Sequence, residues 1–373
     1  MRVILVSPNE AGQRFDKLLA KYLDKAPKSF LYKMLRKKNI LLNGKKAEGS
    51  EKVVLGDEIK LFLSEETIAG FRTKEEMGSA EGKKDTQAPC AEDSMLSGIV
   101  YEDEHILIVD KPVGELSQKA EKGDSSMNER IVAYLAGKYG IGNDSFTPGV
   151  CNRLDRNTSG LLIAGKSLAG LQQMAELLKQ KKLQKYYLCI VCGETKETRH
   201  LRGYIKKDAA ENKVQILETL PLSEKVSSMR ASGRETEQYA IVETEYSPLC
   251  AANGCSLLAV QLITGKTHQI RAHLASVGLP LLGDTKYGNP EENRFVREKF
   301  QVKYQLLHAF LLRFPKAEGA LLGLSEQTIT TPPPRLFVRT ADRLFGKEKW
   351  EHAIMEFERV KRLGIRGAAQ PDQ

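Results

Sequence analysis

Asp155 stands between two arginines in the run Asn152-Arg153-Leu154-Asp155-Arg156-Asn157-Thr158-Ser159-Gly160. Opposite charge favours the ionised form of a carboxylate. Flanked by Arg153 and Arg156, Asp155 therefore suits a nucleophile or a base in a site that also has to hold phosphates. The bland reading of the same run is a surface turn with a local ion pair. Behind it, Leu161-Leu162-Ile163-Ala164 predicts a buried strand. Other reactive side chains are fewer. Cys189-x-x-Cys192 has metal-like spacing, but residues three apart on a strand point to opposite faces, so structural thiols are expected there. There is no Gly-x-Gly-x-x-Gly, no phosphate-loop lysine motif and no convincing ligand set. Neither a cofactor nor a metal is expected.

The run around Asp155 resembles the Arg-Leu-Asp-x-x-Thr-Ser-Gly signature of the RluA family of pseudouridine synthases, which isomerise uridine in RNA. The likeness continues in order along the chain. Lys185-Tyr186-Tyr187-Leu188-Cys189-Ile190-Val191-Cys192-Gly193 is similar to the family's Lys-x-Tyr-x-Ala-x-Val-x-Gly strand. Thr264-Gly265-Lys266-Thr267-His268-Gln269-Ile270-Arg271-Ala272-His273 is similar to its Gly-Arg-x-His-Gln-Ile-Arg-x-His segment. Gly283-Asp284, Tyr287-Gly288 and Leu307-His308-Ala309 follow, so that residues 98 to 340 are covered. Three departures stand out: Asn152 where His is frequent, Cys189 for a small Ala, and Asp110 where Asn is common before Lys-Pro. None removes a reacting group.

The resemblance implies a division of labour. Asp155 acts at the sugar, either attacking carbon 1′ or removing the 2′ proton. Tyr187 stacks on the target base and helps deprotonate carbon 5. Only one of two consecutive strand residues can face a cleft, and the Lys-x-Tyr register selects Tyr187 over Tyr186. Arg271 pairs with Asp155 through an arginine–carboxylate fork. Without the resemblance, Arg271 reads as a phosphate contact or a surface arginine. Arg153 is the wedge that fills the gap left by a flipped uridine. Lys266, His268, His273 and Arg156 are candidates for phosphate or backbone contacts.

The elements that must carry these residues are mostly strands. Ile99-Val100-Tyr101, His105 to Val109, and segments near 186–192, 237–246 and 256–263 have β composition. Ser126 with Glu129 suggests a capping box for a helix to about Tyr139, and residues 168–180 read as a second amphipathic helix. The expected fold is α+β: a large mixed, mostly antiparallel sheet with flanking helices over residues 98–341, preceded by a small α+β RNA-binding module.

That module is placed at residues 1–63. Phe15, Leu18, Leu19, Tyr22 and Leu23 follow one-sided helical spacing. Pro27 ends this helix, and Ser29 is a candidate cap for a second one. The second helix buries Phe30 or Leu31 with Met34 and Leu35, and presents Lys28, Lys33, Arg36, Lys37 and Lys38. Asn43-Gly44 marks a hairpin. The pattern resembles the alpha-L RNA-binding module, with Arg14-Phe15-Asp16 in place of the usual Arg-Leu-Asp.

Charge follows the same division. Residues 1–63 hold 14 Lys and Arg against 7 Asp and Glu, a net of +7. Residues 64–97 hold 4 against 8, a net of −4. A basic module followed by an acidic spacer fits nucleic acid as partner. Residues 64–97 read as a flexible acidic linker, and residues 342–373 as a charged C-terminal tail. No secretory pattern opens the chain, and no apolar run approaches the ~18 residues that span a bilayer. A cytoplasmic monomer with reduced thiols and no obligate protein partner is expected. The expected activity is uridine isomerisation in structured RNA, most naturally large-subunit ribosomal RNA, with transfer RNA as the runner-up. A catalytically silent ribosome-assembly factor and an RNA methyltransferase are the rivals. Intact Asp155 and Tyr187 argue against the first, and the missing cofactor loop against the second.

Overall fold

A computed structural model of the protein describes residues 1–7, 10–72, 96–121, 123–139, 146–208, 213–219 and 239–364. The N-terminal module opens with β1 (Arg2–Leu5), α1 (Phe15–Tyr22) and α2 (Lys28–Arg36). It continues through β2 (Ile40–Leu42), β3 (Lys45–Lys46), β4 (Glu58–Leu61) and α3 (Glu65–Gly70). The four strands form an antiparallel sheet in the order β1-β4-β2-β3. Asn43 and Gly44 both take positive φ, 51° and 72°, which closes the β2–β3 hairpin with a turn matched to strand twist. Phe15, Leu18, Leu19 and Leu23 are buried against Leu31, Met34 and Leu35, and the five basic residues of the second helical segment are exposed.

Two details differ from expectation. The residue before α2 is Pro27, whose carbonyl accepts the amide of Phe30 at 2.9 Å. Ser29 lies inside the helix, because the chain turns helical at Lys28, two residues before the start that a Ser29 cap would give. The module also runs past residue 63. Ser64 Oγ accepts the Thr67 amide at 3.2 Å to cap α3, and Ile68 is buried in the module's core. Phe71 stacks on Phe30 with ring centres 4.6 Å apart. The first residues assigned to the linker are therefore folded, since they bring two apolar side chains back to the core. Residues 73–95 lie outside the described residues.

The larger region begins with β5 (Ile99–Glu102), β6 (Ile106–Lys111), α4 (Met127–Tyr139), β7 (Gly149–Val150) and β8 (Ser159–Gly165). Then come α5 (Leu168–Lys179), β9 (Gln184–Cys192), β10 (Arg199–Asp208), β11 (Lys213–Leu217), β12 (Tyr239–Ala252) and β13 (Cys255–Leu262). The last part holds α6 (Gln269–Ser276), α7 (Pro290–Phe300), β14 (Leu307–Arg313), β15 (Thr328–Thr330), α8 (Arg335–Phe345) and α9 (Lys347–Leu363). Nine strands lie in the order β11-β10-β12-β13-β9-β14-β8-β6-β5, with β15 on β14 and β7 on β8. Among these the pairing of β8 with β14 is parallel and the rest is antiparallel. The α+β, mostly antiparallel reading holds.

The parallel contact depends on Gly160. A Cβ there would lie 2.3 Å from the carbonyl oxygen of Ala309, and the φ of +109° is open to glycine. Helices α4 and α6 cover one face of the sheet through Met127, Ile131, Leu135, Ile270 and Leu274. Helices α7, α8 and α9 cover part of the other through Val296, Phe300, Phe337, Leu344, Trp350 and Ile354. The boundary drawn at residue 341 thus falls inside a helix. Residues 342–363 are a packed layer, because Trp350, Ile354 and Phe357 recur on one helical face and meet the back of β9. Residues 365–373 lie outside the described residues.

The first turn of α4 is satisfied differently from the expected capping box. The amides of Met127 and Asn128 donate to the carbonyls of Leu116 and Ser117 at 2.8 and 3.2 Å, while Ser126 Oγ is 3.5 Å from Glu129. This ties α4 to the loop after β6, which supports the site.

Candidate active site

Asp155 lies in the turn between β7 and β8, and the turn is held by backbone contacts from several sides. The Leu154 amide donates to Ser117 Oγ at 2.9 Å, and that hydroxyl donates back to the Leu154 carbonyl at 3.0 Å. The fully buried ammonium of Lys111 donates to the carbonyls of Pro112, Glu115 and Arg156 at 2.8, 2.8 and 3.0 Å. Burial pushes the Lys111 ammonium down to about 8, against the pull of nearby carboxylates. Asn152 turns inward, its Oδ1 accepting the Ile163 amide at 2.8 Å. The frame around Asp155 is thus set by a buried cation and β8.

The cation on Asp155 comes from α6. Arg271 NH1 donates to Asp155 Oδ2 at 2.9 Å. Arg153 and Arg156, its sequence neighbours, are exposed, which corrects the reading of a carboxylate fixed by its flanking arginines. On a turn, adjacent long side chains splay outward and leave the carboxylate to a partner from another element. The fork is also placed differently from expectation. Arg271 gives its two-pronged contact to Asp284, with Nε to Oδ2 at 2.7 Å and NH2 to Oδ1 at 2.9 Å. Asp284 Oδ1 further accepts the amides of Lys286 and Tyr287 at 2.8 and 3.1 Å. Burial pushes the Asp284 carboxyl up, but Arg271 and these amides outweigh it and hold the group below the usual carboxylate range. Burial likewise disfavours the charge on Arg271, and its two carboxylates more than restore it. Asp284 is the residue that sequence reasoning missed. Its signal was the Gly283-Asp284 pair, since a buried guanidinium needs more than one acceptor. At Gly283 a Cβ would sit 2.3 Å from the Tyr304 carbonyl oxygen, so only glycine permits this turn.

Tyr187 faces this pair from the middle of β9, between Val260 of β13 and Ala309 of β14. Burial and then the charge of Asp155 push its phenol well above the ordinary value. Tyr186 points to the opposite face, edge-on to Phe357 at 5.4 Å and under the Lys361 ammonium at 4.8 Å. The strand register selects Tyr187 for the cleft, as expected.

A cleft with about 360 Å³ of open space is lined by Arg153, Asp155, Tyr187, Lys266, His268 and Arg271 together with Leu154, Thr158, Leu262 and Leu307. The fold thus brings together residues 153, 155, 187, 266, 268 and 271. Arg156 is exposed on the same turn outside this lining. His273 is a correction: it is 3% exposed, and its Nδ1 is 3.1 Å from Thr244 Oγ1. Five residues rotate a helix by about 140° relative to His268, which turns His273 into the protein. Burial lowers its pKa to about 4, so it sits there neutral and cannot reach RNA. His268 keeps the rim, its Nδ1 3.1 Å from the Tyr287 hydroxyl.

Cys189 and Cys192 point to opposite faces of β9, into different cores, as the strand period requires. Among the described residues no group of three or more His, Cys, Asp or Glu is arranged to hold a metal. No described helix is long and apolar enough to cross a membrane.

Residues 105–276 match the family profile described as RNA pseudouridylate synthase. The chain is 29% identical over 315 residues to ribosomal large subunit pseudouridine synthase C of Escherichia coli, covering 84% of this chain and 88% of that protein. To the protein of the same name from Haemophilus influenzae it is 27% identical over 314 residues, covering 84% and 87%. The fold is similar to that of human RNA pseudouridylate synthase domain containing 4, with a TM-score of 0.51 at 21% identity over 66% of this chain and 92% of that one. A matched family profile and curated relatives aligned over most of both chains agree: the chain carries an RluA-family RNA pseudouridine synthase domain.

Proposed function

We propose that this enzyme converts uridine to pseudouridine in large-subunit ribosomal RNA, with Asp155 as the group that acts on the ribose. The observation that carries the assignment is the sharing of Arg271. Two carboxylates lie on one guanidinium, but Asp284 is fully buried whereas the Asp155 side chain is 25% exposed to the cleft. Asp284 fixes the arginine, and Asp155 is the one an RNA can meet. The similarity to the large-subunit enzymes of Escherichia coli and Haemophilus influenzae supports the choice of RNA.

The chemistry conserves atoms. The bond from carbon 1′ to nitrogen 1 breaks, the uracil turns, and a bond from carbon 1′ to carbon 5 forms. Carbon 5 loses a proton and nitrogen 1 gains one. The target nucleotide first leaves its stack, which costs a few kcal/mol. Arg153, exposed at the cleft mouth, is placed to fill the vacancy, while Lys266 and His268 line the rim for backbone contacts. Asp155 then attacks carbon 1′ or takes the 2′ proton. Either step consumes its negative charge, which is one of the two effects that keep the Tyr187 phenol protonated. That charge returns when carbon 1′ bonds to carbon 5, before the carbon 5 proton leaves, and Tyr187 is the cleft side chain placed to help remove that proton. One chain supplies Asp155, Tyr187 and Arg271, so the chemistry needs no second copy, and a monomer acting in the cytoplasm on ribosomal RNA meets its requirements.

The direct test is to incubate the purified enzyme with unmodified large-subunit ribosomal RNA and with transfer RNA, then map pseudouridine in both. Site-specific pseudouridine is expected in the ribosomal RNA. Modification of transfer RNA alone would move the target, and none in either would refute the proposal.

The N-terminal module is proposed as an RNA anchor, on the strength of its exposed Lys28, Lys33, Arg36, Lys37 and Lys38. Because α3 belongs to its core, the informative deletion removes residues 1–72. Truncation is expected to weaken binding to the large RNA while a short target hairpin is still modified at high enzyme concentration. The dependence of log affinity on log salt should become shallower by about 0.7–0.9 per lost phosphate contact. An unchanged slope would make the basic helix a merely solvated face.

A further inference from the structure

We infer that Cys192 and Cys255 form a cross-strand dithiol that an oxidant of the disulfide class closes into a disulfide, on the face of the sheet opposite Tyr187. The spacing of Cys189 and Cys192 draws attention along the chain, but the partner of Cys192 lies across the sheet. In the β9–β13 pairing Cys192 stands directly opposite Cys255. The hydrogen bonds define which kind of pair this is. The Gly193 amide donates to the Gly254 carbonyl at 2.7 Å, so the bonded pair is the next one along. The Cys192 amide points away from β13 and donates to the Pro280 carbonyl at 2.9 Å. Cys192 and Cys255 are therefore a non-hydrogen-bonded pair, in which Cα atoms approach to about 4.5 Å. That falls within the span of about 4.4–6.8 Å that a disulfide bridges. Both side chains enter the same core on the back of the sheet.

The other described thiols lack such a neighbour. Cys189 faces the opposite core across from Leu258, and Cys250 stands across from Leu257. The pair is also reachable. Both thiols line an open groove at the end of β9, walled by Phe295, Lys299 and Arg343. Glu292 lines the same groove beside Cys192.

The step balances without a metal. The thiolate of one cysteine attacks oxidised glutathione and displaces one glutathione thiol. The second cysteine attacks the mixed disulfide and displaces another. Two protein thiols become one disulfide, oxidised glutathione is reduced to two molecules of glutathione, and the two thiol protons end on them. Burial disfavours both thiolates, pushing Cys255 up to about 11, and the Glu292 carboxylate adds to the effect at Cys192. Closure is therefore slow at neutral pH and accelerates about tenfold per pH unit while both thiols remain mostly protonated.

The test uses the full chain in its folded state, with oxidised glutathione as the probe at mildly alkaline pH. Remaining thiols are then alkylated and peptides mapped by mass spectrometry. A peptide pair joined through Cys192 and Cys255 is expected, smaller in mass by two hydrogen atoms and restored by dithiothreitol. Cys255→Ser should abolish it and leave Cys192 alkylated or carrying glutathione, and Cys192→Ser should do the converse. Circular dichroism of each variant confirms that it folds. Recovery of both thiols alkylated, of separate glutathione adducts on both, or of either cysteine linked elsewhere would overturn the inference.

Discussion

Asp155→Asn is expected to lower pseudouridine formation by at least about a thousandfold while leaving the fold and most RNA affinity in place. The substitution is nearly isosteric but removes the carboxylate proposed to attack carbon 1′ or accept the 2′ proton. Arg271 limits the collateral damage. Its fork to Asp284 and the support of that carboxylate by two backbone amides do not involve residue 155. The carboxamide oxygen can still accept the Arg271 NH1 proton, so the turn has no reason to move. Release of tritium from RNA labelled at uracil carbon 5 measures the loss, and a filter-binding titration measures the retained affinity. Activity within tenfold of the parent would remove Asp155 from the chemistry.

Tyr187→Phe is expected to slow turnover by about two to four orders of magnitude, whereas Tyr186→Phe should change it by less than about threefold. Phenylalanine keeps the ring and discards the hydroxyl. The control is demanding because the two residues are neighbours on one strand, both buried. They differ in which side of the sheet they face: Tyr187 feels the charge of Asp155, and Tyr186 contacts Phe357 and Lys361. A general loss of packing would penalise both variants alike. A loss confined to Tyr187, in the single-turnover rate rather than in RNA affinity, belongs to the chemical step. Equal effects would contradict the assignment of a role to the hydroxyl.

The parts of this molecule that were legible in its sequence are those in which one local pattern decides. Leu161 to Ala164 form a continuous apolar run, and β8 is buried on both faces. The period of two separates Tyr186 from Tyr187 and Cys189 from Cys192 without any knowledge of the tertiary fold. What escaped depends on contacts between distant segments. Arg271 was expected to pair with Asp155, yet the carboxylate that aligns it is Asp284, and nothing local in either segment tells which acceptor takes the fork. Nothing local marks Lys111 for burial; the loop after β6 and the turn at Arg156 offer it three carbonyls. His273 looked like a second rim histidine because its neighbours were read as a motif, when helical rotation already directs it inward. Helix α3 is six residues long, too short for a periodic signal, and only its Ser64 cap marked it. In α9 the charged residues dominate the composition, and the apolar stripe of Trp350, Ile354 and Phe357 is thin.

That stripe has a consequence for how the protein is made. The back of β9 and β13 carries Tyr186, Leu188, Ile190, Leu257 and Ala259, and their cover includes Phe337, Leu344, Phe345, Trp350 and Ile354. A chain growing on the ribosome presents the strands long before it presents the lid, since synthesis runs from the N-terminus. Each large apolar side chain left in water forgoes roughly 1.5–3 kcal/mol, against a total stability of about 5–15 kcal/mol for a domain. The nascent enzyme therefore carries an exposed, adhesive sheet face until α8 and α9 emerge, and a messenger broken ahead of their codons yields a product for chaperones and proteases.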